Sequence, residues 1–184
     1  ISCVNNEKTL GTALRMYIDD NDGWIIRTYQ SGYRPSSLWF HNLYLMGYGV
    51  KYSRDKDTTW TCPSAKTKAL DGNGKMTYAR VSNNRYRNAA WYGGNTWLGT
   101  NAFYPIKKIK KQSCQIIVTE SKFYSTTVPE VLSGVGYALR YSQLEIYGFF
   151  HGDKKMNCLF VDGHVESLRT DEIAQDMMDD PICP

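Results

Sequence analysis

Along the first twenty residues the apolar positions fall on one side of a helix. Cys3, Leu10, Leu14 and Tyr17 follow one another at spacings of seven, four and three, while Asn5, Asn6, Lys8, Arg15 and Asp19 lie mostly off that stripe. A period near 3.6 puts the stripe on one face, so a helix is predicted over 1–20, ending in the polar tract "DDNDG". A second short helix is predicted over 36–49, with Ser36 or Ser37 as N-cap and Gly47 or Gly49 as stop. The period then shortens. Residues 59–65 read as a short extended piece broken by Pro63, 75–82 as a strand, and 114–123 as a strand with an apolar middle. Residues 83–104 mix Asn, Gly and aromatics without a period and are read as one long loop. A helix capped by Thr170 is predicted over 170–178. The order of elements is that of an α+β fold in a single domain.

The sharpest local pattern is "NCLFVDGHVESL", residues 157–168. Two strand-like runs flank Asp162-Gly163, a pair suited to the positive φ angles of a two-residue type I′ hairpin turn. Cys158 and Phe160 alternate with Leu159 and Val161, and the alternation resumes at Val165 and Leu168. His151, Asp162 and His164 also invite a reading as metal ligands, which needs three or four convergent donors. The hairpin accounts for Asp162 and Gly163 without one.

Composition narrows the classes. The chain of 184 residues is 42% hydrophobic and 22% charged, a globular balance. A net charge of +4 with interspersed signs makes no strong case for nucleic acid. The run "IKKIKK" (106–111) reads as a solvated face, since phosphate binding calls for a wider basic surface. Five cysteines at 3, 62, 114, 158 and 183 contain no C-x-x-C pair, which argues against zinc ribbons and thioredoxin-type motifs. Their spacing fits an exported protein with one or two disulfides, and also buried thiols in a reducing compartment.

Hydrolase motifs are missing, and only His41, His151 and His164 supply imidazole. His41, inside the apolar "LWFHNL", reads as a core or surface residue rather than a general base. No catalytic residue, metal ligand or cofactor is therefore expected. Calcium finds no support, because "IDDNDG" has Ile18 and Tyr29 at the first and last ligand positions of a calcium loop. Fourteen tyrosines and five tryptophans are the unusual feature of the composition. Trp91, Tyr92, Asn95, Trp97, Asn101 and Tyr104, all within 83–104, form a candidate ligand loop for a glycan or a protein. The competing reading is an Ω-like loop covering the core with its own aromatics.

Taken together, several segments resemble bacterial type IV pilin-like proteins and the pseudopilins of type II secretion. "CVNNEKTLGTALRMYIDDNDGWI" looks like the run after the membrane-spanning part of those proteins, with Cys3, Asn5, Asn6, Lys8, Gly11, Ala13, Tyr17, Asp20, Asn21 and Gly23 in matching places. "WTCPSA", "TYARVSNN" and "IKKIKKQSCQIIVTES" are similar to later steps of the same proteins. "HGDKKMNCLFVDGHVESL" resembles the signature of the prepilin-type H-X9-DG group, carried here by His151, Asn157, Phe160, Asp162, Gly163, His164 and Val165 as a structural hairpin. Ten residues, 152–161, separate His151 from Asp162 where that group has nine, and Glu120 stands where relatives often carry aspartate.

The resemblance implies a pilin-like fold: an N-terminal spine helix on a small antiparallel sheet, with an extra short helix and a C-terminal helix. It implies an apolar anchor helix before Ile1, held in the bacterial inner membrane, with a periplasmic or cell-surface globular domain. The expected role is a non-enzymatic structural subunit in protein transport, partnered by other pseudopilin or pilin subunits. Secreted cargo or a glycan is a further candidate partner, and nucleic acid is not expected. The alternative is a secreted carbohydrate- or protein-binding module using the 83–104 loop. Cys3 and Cys62, both in matched motifs, are the candidate disulfide that the resemblance suggests.

Overall fold

The computed structural model describes residues 2–26, 39–50, 78–81, 84–87, 91–95, 104–121, 138–139, 141, 151 and 155–178. The described elements run α1 (Ser2–Asp20), β1 (Trp24–Ile25), α2 (Trp39–Leu45), β2 (Tyr78–Val81), β3 (Asn84–Arg87), β4 (Trp91–Asn95), β5 (Tyr104–Pro105), β6 (Ile116–Ser121), β7 (Ala138–Leu139), β8 (Lys155–Phe160) and β9 (Val165–Arg169). Helices and mainly antiparallel strands combine, so the α+β class holds at that level. The main sheet has the order β7-β4-β6-β8-β9, antiparallel except for the β4–β7 pair.

Helix α1 forms where its stripe predicts. Leu10, Ala13, Leu14, Tyr17 and Ile18 are buried in one cluster with Ile117, Val118, Leu159 and Val161 of the sheet region. Burying each large aliphatic side chain contributes about 1.5–3 kcal/mol, which holds a helix this short in place. Gly11 permits close approach, since a Cβ there would sit 2.8 Å from Leu159 Cδ1. The helix stops where Asp22 takes a positive φ of 52° and Gly23 N–H donates to Ile18 O at 2.9 Å. Helix α2 ends in a Schellman motif: Tyr48 N–H donates to Leu43 O and Gly47 N–H to Tyr44 O, both at 3.0 Å, with Gly47 at φ 82°. The Ser36 or Ser37 cap and the 59–65 segment lie outside the described residues.

Strand β8 is buried on both faces. Met156, Cys158 and Phe160 join Ile116, Leu168, Ile173 and Met178 in a second cluster, while Leu159 and Val161 face α1. Strand β6 carries a bulge: Ile116 pairs with Phe160, yet Val118 pairs with Leu159. The extra residue inverts the alternation, so Ile117 and Val118 both join the α1 cluster. From there Thr119 pairs with Cys158, and Glu120 falls beside Asn157, on the α1 side.

Three expectations are corrected. The hairpin turn is not type I′, because Gly163 alone has a positive φ, 95°, and Asp162 does not. Gly163 N–H donates to Phe160 O and Phe160 N–H to His164 O, both at 2.9 Å, the bonding of a three-residue loop closed by a glycine bulge. This arrangement keeps Val161 in the core. Residues 170–178 form two single 3-10 turns, Thr170–Glu172 and Gln175–Met177, instead of a helix. Ile173 and Met178 are both buried in the second cluster, and on an α-helix they would point roughly 140° apart. The 83–104 segment contains β3, β4 and the start of β5, so it is not one loop. Gly93 and Gly94 give β4 no side-chain alternation to read, and pairing with β6 and β7 places it in the sheet.

Candidate functional site

The polar residues that matter lie inside the helix–sheet seam. Glu120 is fully buried, at 0% exposure, delivered there by the β6 bulge. His151 stands just before β8, its N–H donating to Lys155 O. Its Nε2 lies 2.9 Å from Glu120 Oε1 and 2.8 Å from Glu120 Oε2. Asn157 N–H donates to Glu120 Oε2 at 2.9 Å, and Ser167 Oγ donates to Asn157 Oδ1 at 2.6 Å. An Nε2–H directed into the carboxylate cannot accept a proton as well. The 3.4 Å approach of Asn157 Nδ2 to that nitrogen is therefore a contact, not a hydrogen bond. These bonds tie β6, β8, β9 and the segment at His151 together through side chains.

Helix α1 adds two more groups from above. Cys3 and Glu7, four residues apart on one face, are both buried. The Cys3 sulfur, the Glu120 carboxylate and a His151 ring nitrogen lie within 4.8 Å of one another. Both oxygens of Glu7 are buried without a hydrogen-bond partner among the described residues. Burial pushes the Glu7 carboxyl well above the usual carboxylate range, and the charges of Glu120 and Cys3 push it further. Cys158 faces the other side of the sheet, and burial, then Glu7, Glu120 and Glu166, push its thiol up, so it is a poor nucleophile.

Asp162 and His164 do not join this group. His164 Nδ1 and the His164 N–H both meet Asp162 Oδ1, at 2.6 and 3.2 Å, and the ring stacks on Phe160 with centroids 4.1 Å apart. The trio His151, Asp162 and His164 thus splits: His151 enters the buried network and the other two shape the turn. Val165 packs partly buried against the α1 cluster. Trp91, Tyr92 and Asn95 occupy β4, and Tyr104 pairs with Ile25. Trp97, Asn101 and Cys62 lie outside the described residues, as does the His41 side chain. Lys107 and Lys108 are exposed beside the buried Ile109, as expected for a solvated face.

Glu7 and Glu120 went unrecognised as a site in the sequence. The signal for Glu7 was present: it fills the seven-residue gap between Cys3 and Leu10 on the helical stripe. Comparison with known proteins finds no matching family model, curated protein or solved structure. Among the described residues no helix is long and apolar enough to cross a membrane.

Proposed function

We propose that the chain is the globular part of a pilin-like, non-enzymatic subunit that works outside the cytoplasm in a type II secretion pseudopilus or a related assembly. The observation that supports this reading is the way α1 lies on the sheet. One face is buried along its length through Cys3, Glu7, Leu10, Leu14, Tyr17 and Ile18, while Lys8, Thr9, Thr12, Arg15 and Met16 face outward. A helix packed along one face and exposed along its back is suited to continue into a spine shared with neighbouring subunits. The motif set in α1, β6 and the β8–β9 hairpin adds to this reading. A pilin-like anchor helix and the membrane and subunit partners it implies belong to the same proposal.

The test is intact-mass and N-terminal peptide analysis of the native protein from its own cells. A processed N-terminus followed by ~20 apolar residues supports the filament role. An ordinary signal-peptide cleavage overturns it and leaves the secreted binding module as the better reading.

A further inference from the structure

The geometry points to a divalent-cation site of the zinc class, with Cys3, Glu120 and His151 as ligands and Glu7 one turn beyond Cys3 on the same face of α1. This inference stands apart from the filament reading and does not need it.

A thiolate, an imidazole and a carboxylate converging from three separate places in the chain are the mixed sulfur, nitrogen and oxygen donors that zinc takes. Bond lengths of ~2.0–2.3 Å at tetrahedral angles set donor atoms about 3.3–3.6 Å apart. The three donors already lie within 4.8 Å of one another. For His151 Nε2 to ligate, its proton moves to Nδ1, and the 2.9 Å contact with Glu120 Oε1 opens by only about half an ångström, a matter of side-chain torsion. Asn157 N–H holds Glu120 Oε2, leaving Oε1 to face an ion, and Ser167 in turn fixes the Asn157 side chain. Such outer partners orient metal ligands.

Glu7 is the independent observation. A carboxyl group at 0% exposure with neither oxygen partnered among the described residues is costly in an apolar seam. A second buried carboxylate, Glu120, increases that cost. One proton on Glu7 removes one charge, whereas a divalent cation held by Cys3, Glu120 and His151 would offset two negative charges in the seam where Glu7 is buried. His151, a quarter exposed, marks the side from which an ion enters. The bound ion would clamp the start of α1 to β6 and to the segment ahead of β8, so its affinity would add to fold stability.

The test uses the full chain, reduced and stripped of metal, titrated with Zn2+ alone and, separately, with Co2+. One equivalent is expected to bind. Cobalt is expected to show visible bands of tetrahedral coordination and a sulfur-to-cobalt charge-transfer band that Cys3→Ser abolishes. Glu120→Gln and His151→Gln should each weaken zinc about tenfold or more, while Cys114→Ser leaves binding unchanged. If a variant fails to fold, the stoichiometry and charge-transfer band of the unmutated chain decide. Three results overturn the site: no stoichiometric uptake, a charge-transfer band that survives Cys3→Ser, or peptide mapping that finds Cys3 in a disulfide in the protein as its cells make it.

Discussion

His151 Nε2 sits within 2.9 Å of both carboxylate oxygens of Glu120, and the two residues are thirty-one positions apart in the chain. The pair joins β6 to the segment that precedes β8. Removing the imidazole by His151→Ala leaves a fully buried carboxylate with the Asn157 amide as its hydrogen-bond donor among the described residues. Breaking a buried pair costs about 3–5 kcal/mol, and the part-exposure of the ring brings this to about 2–4 kcal/mol. Urea unfolding of the metal-free protein checks the figure. A loss below ~0.5 kcal/mol, the usual size of a neutral surface change, would show that the pair is ornamental.

Glu7 makes stability depend on pH. Its folded-state pKa is raised, chiefly by burial, so the folded chain holds this proton where the unfolded chain has released it. For metal-free protein this contribution is fully present below the unfolded value of about 4.3 and is lost as pH rises toward the folded value. Glu7→Met removes the ionisable group and keeps an unbranched side chain. It should raise the stability of metal-free protein at neutral pH by about 1–3 kcal/mol, the cost of an unsatisfied buried polar group. The measurement is the difference between the two proteins' urea midpoints across pH with chelator present. Parallel curves contradict the assignment.

Gly11 is a point where the helix meets the sheet closely. Since a Cβ already comes within 2.8 Å of Leu159 Cδ1 and 3.5 Å of Gly163 O, a branched side chain has no room. Gly11→Val should cost about 2–3 kcal/mol by overpacking, despite the better helix propensity of valine. Thermal unfolding reads this as a fall of roughly 4–12 °C, at ~2–4 °C per kcal/mol for a domain of this size. An unchanged midpoint would mean that α1 rides further from the sheet.

Gly163 tests the turn separately. Nothing lies within 4 Å of its missing Cβ, so a substitution there meets backbone strain and no clash. With φ at 95°, Gly163→Ala should cost about 1–2 kcal/mol, while Asp162→Ala, which loses exposed hydrogen bonds only, should cost less. Equal losses for the two variants in chemical denaturation would rule out this division of labour.

What the sequence made legible follows from what repeats. The α1 face and the alternation of β8 are periodic and could be read to within a residue or two. Helix α2 was foreseen with its glycine stop, and β2 and β6 inside the predicted strands. The buried network could not be read in the same way. His151 was noticed for its spacing to Asp162, but its partner Glu120 is remote in sequence and reaches it only because of a bulge that no local pattern announces. Glu7 was legible in principle, as a charge on an otherwise apolar stripe. The 170–178 segment was misread because acidic, cap-like residues at its start suit a helix, whereas the core needs both Ile173 and Met178.

The bulge in β6 has a consequence for how such a polar cluster can arise or vanish. Strand parity is binary, and whether the strand bulges at Ile117 decides it. Drawn out regularly from Ile116, the same residues would put Thr119 on the helix side and turn Glu120 toward Ile173 and Met178, whereas loss of Ile117 alone would keep Val118 opposite Leu159 and Glu120 in place. Sequences that share every one of these polar residues can therefore differ in whether they assemble them. The difference lies in the path of one strand, where a single bulge acts as an all-or-none switch on chemistry it does not touch.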